Sequence, residues 1–296
     1  MVNILIIGGD SKIGSALYKR LVKGTSTVWK TTRRQNLEEN EFYFNLEDDI
    51  NISIFSKIRF DFVFMCASIT SLEYCRKNPD ESKKINVVNT LKVLSYFNKN
   101  ESFVIFFSTN LVFDGTKPAF TFSDQTNPIT EYGKQKVLVE NELKKLSKTA
   151  IFRLTKIIDY DFKLFDSWII DLNNFKSITP IHNMKMAPVW LGDLVSFVSE
   201  FLLRPEKGIF HVSASDEITY YEAAVYIVNK LKLDNFKVEP ISYNEIGIQN
   251  IPKFTKLSLI SSSSIVYKCI SSYSAIEDFL NFKHGNNNTI NQKLNF

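Results

Sequence analysis

The chain has 296 residues, 44% of them hydrophobic, with 25 phenylalanines and 12 tyrosines, enough to bury a sizeable core in one large domain or two coupled ones. Its formal charge is +4, from 36 basic and 32 acidic side chains spread along the sequence, and no basic block interleaves with aromatics, which argues against a nucleic-acid partner. No run reaches about 18 apolar residues, and the N-terminus lacks a basic segment leading into a long apolar one, so neither a membrane span nor a signal peptide is expected and a reducing cytoplasm fits.

The first element is the strand ILIIG, closed by a glycine turn and followed by a helix with Ile13, Leu17 and Leu21 at four-residue spacing, ending near Gly24. TVWKTT and EFYFNL read as a second and a third strand, and DFVFMCA as a fourth, apolar enough to be covered on both faces. A helix starts at Asn78, with Pro79 in its first turn and acids behind it. SFVIFFST is a fifth strand, TEYGKQKVLVENELKKL a long helix and AIFRLT a sixth strand. GIFHVSA reads as one more buried strand, TYYEAAVYIVNKL as an amphipathic helix and SYSAIEDFLNF as the last helix, ahead of a loose polar tail over 284–296. This alternation predicts an α/β fold, a doubly wound parallel sheet of Rossmann type.

Ligands of such sheets bind where the strands finish. The first turn spaces Gly8, Ser11 and Gly14 as a dinucleotide-binding motif spaces three glycines, with an extra Gly9. Gly8 allows a tight turn, Gly14 a close helix, and the backbone N–H groups of the helix start suit a pyrophosphate. Asp10, Ser11, Lys12 and Ile13 complete this candidate; a plain structural turn is the competing reading. About 20 residues beyond the glycines, where an NAD site keeps an acid, stand Arg33 and Arg34. Their guanidinium groups suit a phosphate, so NADP(H) is expected over NAD(H), unless both are only surface residues.

The fifth strand ends in Ser108 and Thr109, and a helix follows with Tyr132 and Lys136 four apart on one face. A nearby ammonium lowers a phenol toward the working range of an acid or base. A hydroxyl from Thr109, or from Ser108, can hold a substrate carbonyl. No two of Cys66, Cys75 and Cys269, and no grouping of His182, His211 and His284, have metal-site spacing, so no metal is expected.

With these parts in place the chain resembles an extended short-chain dehydrogenase/reductase of the dTDP-4-dehydrorhamnose reductase family. The likeness is carried by the glycine turn, CASITSLEYCRKNPDESKKINVVNT, STNLVFDG, YGKQKVLVE, Arg153, APVWLGDLV and KGIFHVSASDEITYYEAA. Departures are Ser11 for the middle glycine, Asn110-Leu111 for Asp-Tyr, APV for Ser-Pro-Thr, and RLTKIID, which lacks a Tyr-Gly.

The resemblance implies that Thr109 and Tyr132 hold a keto oxygen, that Tyr132 supplies a proton, and that Lys136 holds the nicotinamide ribose. It implies that Asn45 and Leu46 lie near the adenine, that Cys66, Ala67 and Ser68 line the cofactor, and that Asn86 ties the active-site backbone or else faces solvent. Ser68, Thr109, Asn110, Val112, Phe113 and Trp190 become substrate-side candidates, with Trp190, Phe113, Tyr220 and Tyr221 either stacked on a base or in the core. His182 and Lys185 fall in the substrate-side loop without a role. The implied domains are a nucleotide-binding one, 1–155 with 186–213, and a smaller α/β substrate-binding one, 156–185 with 214–283. The implied activity is NADPH-dependent reduction of a nucleotide-linked 4-keto-6-deoxysugar for surface polysaccharide, in a possible homodimer. A sugar-nucleotide epimerase or dehydratase, or a non-catalytic NADP-binding regulatory subunit, are the alternatives.

Overall fold

A computed structural model of the chain describes residues 2–233, 238–247, 252–259, 265–268 and 270–293, with side chains to residue 283. Cys269 and the serine run 261–264 lie outside the described residues. The chain order begins β1 (Asn3–Ile7), α1 (Lys12–Leu21), β2 (Thr27–Thr32), β3 (Glu41–Tyr43), β4 (Phe62–Met65), α2 (Leu72–Lys77) and α3 (Pro79–Lys83). It continues through α4 (Thr90–Lys99), β5 (Phe103–Thr109), α5 (Glu131–Leu143), β6 (Thr149–Leu154), β7 (Ile157–Ile158), α6 (Lys163–Asn173), β8 (Lys185–Met186) and β9 (Val189–Trp190). It closes with α7 (Leu191–Phe201), β10 (Gly208–Val212), β11 (Ile218–Thr219), α8 (Tyr220–Leu231) and α9 (Ser272–Lys293).

Seven parallel strands form one sheet in the order β10-β6-β5-β4-β1-β2-β3. The reversal of direction at β1 brings the carboxyl ends of β1 and β4 side by side, the crevice such sheets use for ligands. Each central strand is buried on both faces, so the apolar runs of the sequence translate directly into strands. Leu17 of α1 and Leu194, Val198 and Phe201 of α7 pack one face. Val93, Leu94 and Phe97 of α4 with Val139 and Leu143 of α5 pack the other.

A π-helical stretch, Lys84–Asn89, joins α3 to α4 and turns Asn86 and Asn89 inward, both buried. A third cluster, with Phe165, Trp168, Ile227 and Phe279, gathers α6, α8 and α9. The pairs β8–β11 and β7–β9 lie beside it. α8 starts with a capping box, Thr219 with Glu222. α9 runs on to Lys293 instead of ending near Phe282, since no proline breaks it, so the expected loose tail is in its first part helical. No helix among the described residues is long and apolar enough to cross a membrane.

Candidate active site

Gly8 sits at φ +85°, and a Cβ there would stand 2.6 Å from the Ala67 backbone nitrogen; the turn and the end of β4 touch only because Gly8 has no side chain. A Cβ on Gly14 would stand 2.2 Å from the Gly8 carbonyl oxygen, so the helix start packs on the turn itself. Ser11 explains why a serine is accepted at the middle position. Its hydroxyl donates to the Gly8 carbonyl at 2.8 Å and accepts from the Gly14 N–H at 3.1 Å, closing the turn and capping α1. Thr31 fixes the approach, its hydroxyl accepting from the Gly8 N–H at 2.8 Å.

A cleft of about 280 Å³ opens at this turn, lined by Gly8, Asp10, Ser11 and Arg33, by Asn45 and Leu46 at the end of the third strand, and by Ala67 and Ser68. Of the other residues expected there, Lys12 points elsewhere. Its ammonium bonds Asp159 at 2.9 Å and the Asp161 carbonyl at 3.0 Å, because a residue on the first turn of α1 reaches the loop after β7. Ile13 and Cys66 pack into the core on the α1 face, since strand and helix periodicity turn them inward, and burial pushes the Cys66 thiol up. Arg34 is held by Glu41 at 2.8 Å and does not line the cleft, whereas Arg33 lines it and pairs with exposed Glu47 at 3.2 Å. Glu41 is itself buried; burial opposes its charge, yet the Glu38 N–H and Lys30 hold its carboxyl below the usual range.

Asn86 does not face solvent. Its amide oxygen accepts from the Ile69 N–H at 2.8 Å and the Ser68 hydroxyl at 2.9 Å, and its amide nitrogen donates to the Ile69 carbonyl at 2.9 Å. The same nitrogen donates to the Gln135 side chain at 2.8 Å, tying the segment after β4 to α5. Gln135, one residue before Lys136, was absent from the sequence candidates; a glutamine on the buried face of that helix was the available signal.

Thr130 caps α5, accepting from the Gly133 N–H at 3.1 Å. Tyr132 follows in the first turn and is buried, and its hydroxyl has no hydrogen-bond partner among the described residues. Burial pushes the phenol above its ordinary value, with no opposing shift from Lys136. This corrects the expectation that the ammonium lowers it: Lys136 Nζ donates to the Phe107 carbonyl at 3.0 Å and lies 5.4 Å from the Tyr132 ring centre. Burial instead brings Lys136 down to about 8. The phenol is therefore protonated at neutral pH, the state a proton donor needs.

Thr109 and Ser108 separate cleanly. Ser108 donates to buried Glu140 at 2.6 Å, while Thr109 lines a second cavity of about 230 Å³ together with Asn110, Thr130, Lys156, Lys185 and Tyr220. Strand alternation sends neighbouring side chains to opposite sides. Glu140 is the centre of a buried network: Arg153 binds it at 2.7 Å, and the other end of the guanidinium lies 3.4 Å from His211 Nε2. His211 Nδ1 is 2.8 Å from the Ser258 carbonyl, and burial next to Arg153 takes the imidazole down to about 4, so it is neutral.

Four residues expected on the substrate side do not line the second cavity. Val112 and Phe113 are fully buried, Phe113 stacking on Phe120 at 4.3 Å and lying 4.9 Å from the Arg153 guanidinium. Trp190 packs with the third cluster and 6.5 Å from Phe282. Ser68 lines the first cleft but not the second. Asn110 does line the second, with its amide donating to the Thr255 carbonyl at 3.0 Å. Tyr220 lines the second cavity, and Tyr221 lines neither. His182 lines neither cavity, whereas Lys185 lines the second. Lys156 and Met184 are cavity residues that the sequence did not single out; the position of Lys156 just past the carboxyl end of β6 was the signal for it.

A glycine turn under a helix start and a cleft at the sheet's switch point mark a doubly wound α/β protein of nucleotide-binding type; Thr109 lines the second cavity, and Tyr132 and Lys136 line neither. More narrowly, the chain belongs to the family described as the RmlD substrate binding domain, which matches residues 2–274. It is 26% identical over 278 residues to methionine adenosyltransferase 2 subunit beta of Mus musculus, covering 86% of this chain and 79% of that protein. It is 25% identical over 239 residues to the spore coat polysaccharide biosynthesis protein SpsK of Bacillus subtilis, covering 79% and 81%. Among solved structures, the dTDP-4-dehydrorhamnose reductase of Bacillus anthracis in complex with NADP superposes with a TM-score of 0.82 at 20% identity, covering 95% of this chain and 99% of that one.

Proposed function

We propose that the protein is an NADPH-dependent reductase of the 4-keto group of a nucleotide-linked 4-keto-6-deoxysugar, serving surface polysaccharide synthesis. The observation that carries this reading is the free, protonated Tyr132 hydroxyl on the helix whose cap, Thr130, lines the same cavity as Thr109. The residues of the first cleft fit the cofactor: Gly8 lets the turn close onto Ala67 without a side chain between them, and the N–H groups at the start of α1 with Arg33 suit its phosphates. When bound, NADPH supplies hydride to the carbonyl carbon.

Thr109 and Tyr132 then hold the keto oxygen, and Tyr132 donates the proton that turns the developing alkoxide into a hydroxyl. Lys136 keeps a positive charge beside that oxygen's partner. Asn86 and Gln135 hold the segment after β4 against α5, so that cofactor and substrate meet at fixed distance. The relatives point the same way: one is a polysaccharide biosynthesis protein and one solved structure is a reductase with NADP.

The test is stoichiometric NADPH consumption with a panel of dTDP-, UDP-, GDP- and CDP-linked 4-keto-6-deoxysugars. Tyr132→Phe is expected to lose turnover by at least about a hundredfold while binding NADPH as the wild type does. Sugar conversion without net NADPH oxidation would instead indicate an epimerase. A second reading, a regulatory subunit, is favoured by the likeness to methionine adenosyltransferase 2 subunit beta. It predicts NADPH binding with no turnover of any nucleotide-linked keto sugar.

A further inference from the structure

We infer that Lys156 is the substrate-anion residue of the second cavity, pairing with an anionic oxygen of the nucleotide sugar; this rests on the functional reading above. Three observations support it. First, the cavity that holds Thr109 is lined by two lysines and by no aspartate or glutamate. Second, the two cations are in different situations. Lys185 is already bonded to Glu217 at 3.0 Å, and Glu217 is held from behind by the Thr255 and Lys256 N–H groups. Lys156 has no carboxylate partner among the described residues; its ammonium lies only 5.4 Å from the Phe162 ring centre. Lys12, whose charge acts on Lys156, is itself paired with Asp159 at 2.9 Å.

Third, its backbone is fixed where a ligand would find it. Thr155 bonds the Ala187 carbonyl through its hydroxyl and the Val212 carbonyl through its N–H, and the Lys156 carbonyl accepts from the Val189 N–H at 2.8 Å. The Lys156 side chain is exposed to the cavity mouth rather than sealed in the core, and the surrounding protein, then Lys12, still hold its ammonium below the ordinary lysine value. A cation so placed at the carboxyl end of β6 gains most from an anion brought by the ligand. A nucleotide sugar offers two: the diphosphate, or a carboxylate on the sugar itself.

Binding of UDP-glucose and UDP-glucuronic acid, and of the corresponding dTDP pair, to the NADP+-loaded full chain by calorimetry tests this. Lys156→Met is expected to weaken binding by about tenfold or more, and Lys156→Arg to retain most of it. If the loss falls equally on the neutral and the acidic sugar, the anion is the diphosphate. If it falls on the acidic sugar alone, it is the sugar carboxylate. Unchanged affinity for every probe in Lys156→Met overturns the inference and leaves the proposed function standing. NADP+ binding with no nucleotide sugar bound by the wild type overturns the substrate reading, and this inference with it.

Discussion

At the scale of single residues, the proposed reaction turns on two buried groups whose protonation is set by burial. Tyr132 is shifted up, so it stays a phenol through the neutral and mildly alkaline range. Lys136 is shifted down to about 8, so its cation is present below that pH and lost above it. The alkaline limb of kcat/KM therefore belongs to the lysine. Activity is expected to fall above pH about 8, losing tenfold per unit once Lys136 is neutral, with a single proton involved. With the sugar varied at saturating NADPH, a limb near pH 10 or beyond would show that the bound cofactor returns the lysine to its ordinary value. Lys136→Arg, whose charge does not titrate in this range, is expected to be slower but to lose the limb.

At the scale of elements, β5, β6, α5 and β10 are joined by charge as well as by apolar contact. Arg153 and Glu140 are both almost completely buried and bind each other through three contacts of 2.7–3.2 Å. A buried pair adds little over an apolar replacement, but removing one partner strands the other. Arg153→Met is expected to cost about 3–5 kcal/mol, read as a lowered denaturation midpoint. The double change Arg153→Met with Glu140→Leu is expected to recover most of it. Equal losses in the single and double variants would show that packing against Phe113, not charge, is what Arg153 supplies.

This network also marks where the sequence stopped being legible. Buried parallel strands announce themselves by unbroken apolar runs, and the glycine turn by spacing, so ILIIG, DFVFMCA and SFVIFFST, with Gly8 and Gly14, could be placed from sequence alone. Which way a side chain leaves a loop has no such periodicity. Val112 and Phe113 follow a strand end and read as cleft residues, yet the one-turn 3-10 helix Asn110–Val112 sends them into a core with Phe120 and Leu257. Lys12 reads as a phosphate ligand from its place in the turn, and only the fold shows Asp159 within reach. Ser11 was legible as a departure but not as a cap, because its two bonds depend on how Gly8 turns.

At the scale of the whole molecule, the second cavity exists only because distant parts of the chain close on the end of the sheet. Residues 252–259 cross the loop after β5. Phe254 donates its N–H to the Gly115 carbonyl at 3.0 Å, Ser258 to the Phe120 carbonyl at 2.9 Å, and Asn110 reaches the Thr255 carbonyl. Glu217, from just before β11, holds the same crossing segment through backbone N–H groups and Lys185. Pro252 and Thr255 thereby line the same cavity as Thr109. The nucleotide cleft needs none of this, since its lining ends at Ile85.

That asymmetry makes a prediction at one glycine. Gly115 has φ +70°, and a Cβ there would lie 2.3 Å from the Pro252 Cβ and 2.8 Å from both the Pro252 Cα and the Phe254 carbonyl oxygen. Two of these three atoms are backbone, so relief requires moving the crossing segment itself, on top of about 1 kcal/mol for the left-handed conformation. Gly115→Ala is therefore expected to lift residues 252–256 off the loop and to weaken nucleotide-sugar binding by about tenfold, with NADPH affinity unchanged. Trypsin should cut faster after exposed Lys253 in the variant, and NADPH should not slow it, because the cofactor's cleft and the crossing segment share no residue. If NADPH affinity falls together with sugar affinity, the crossing segment braces the whole sheet end and the two cavities are not separable.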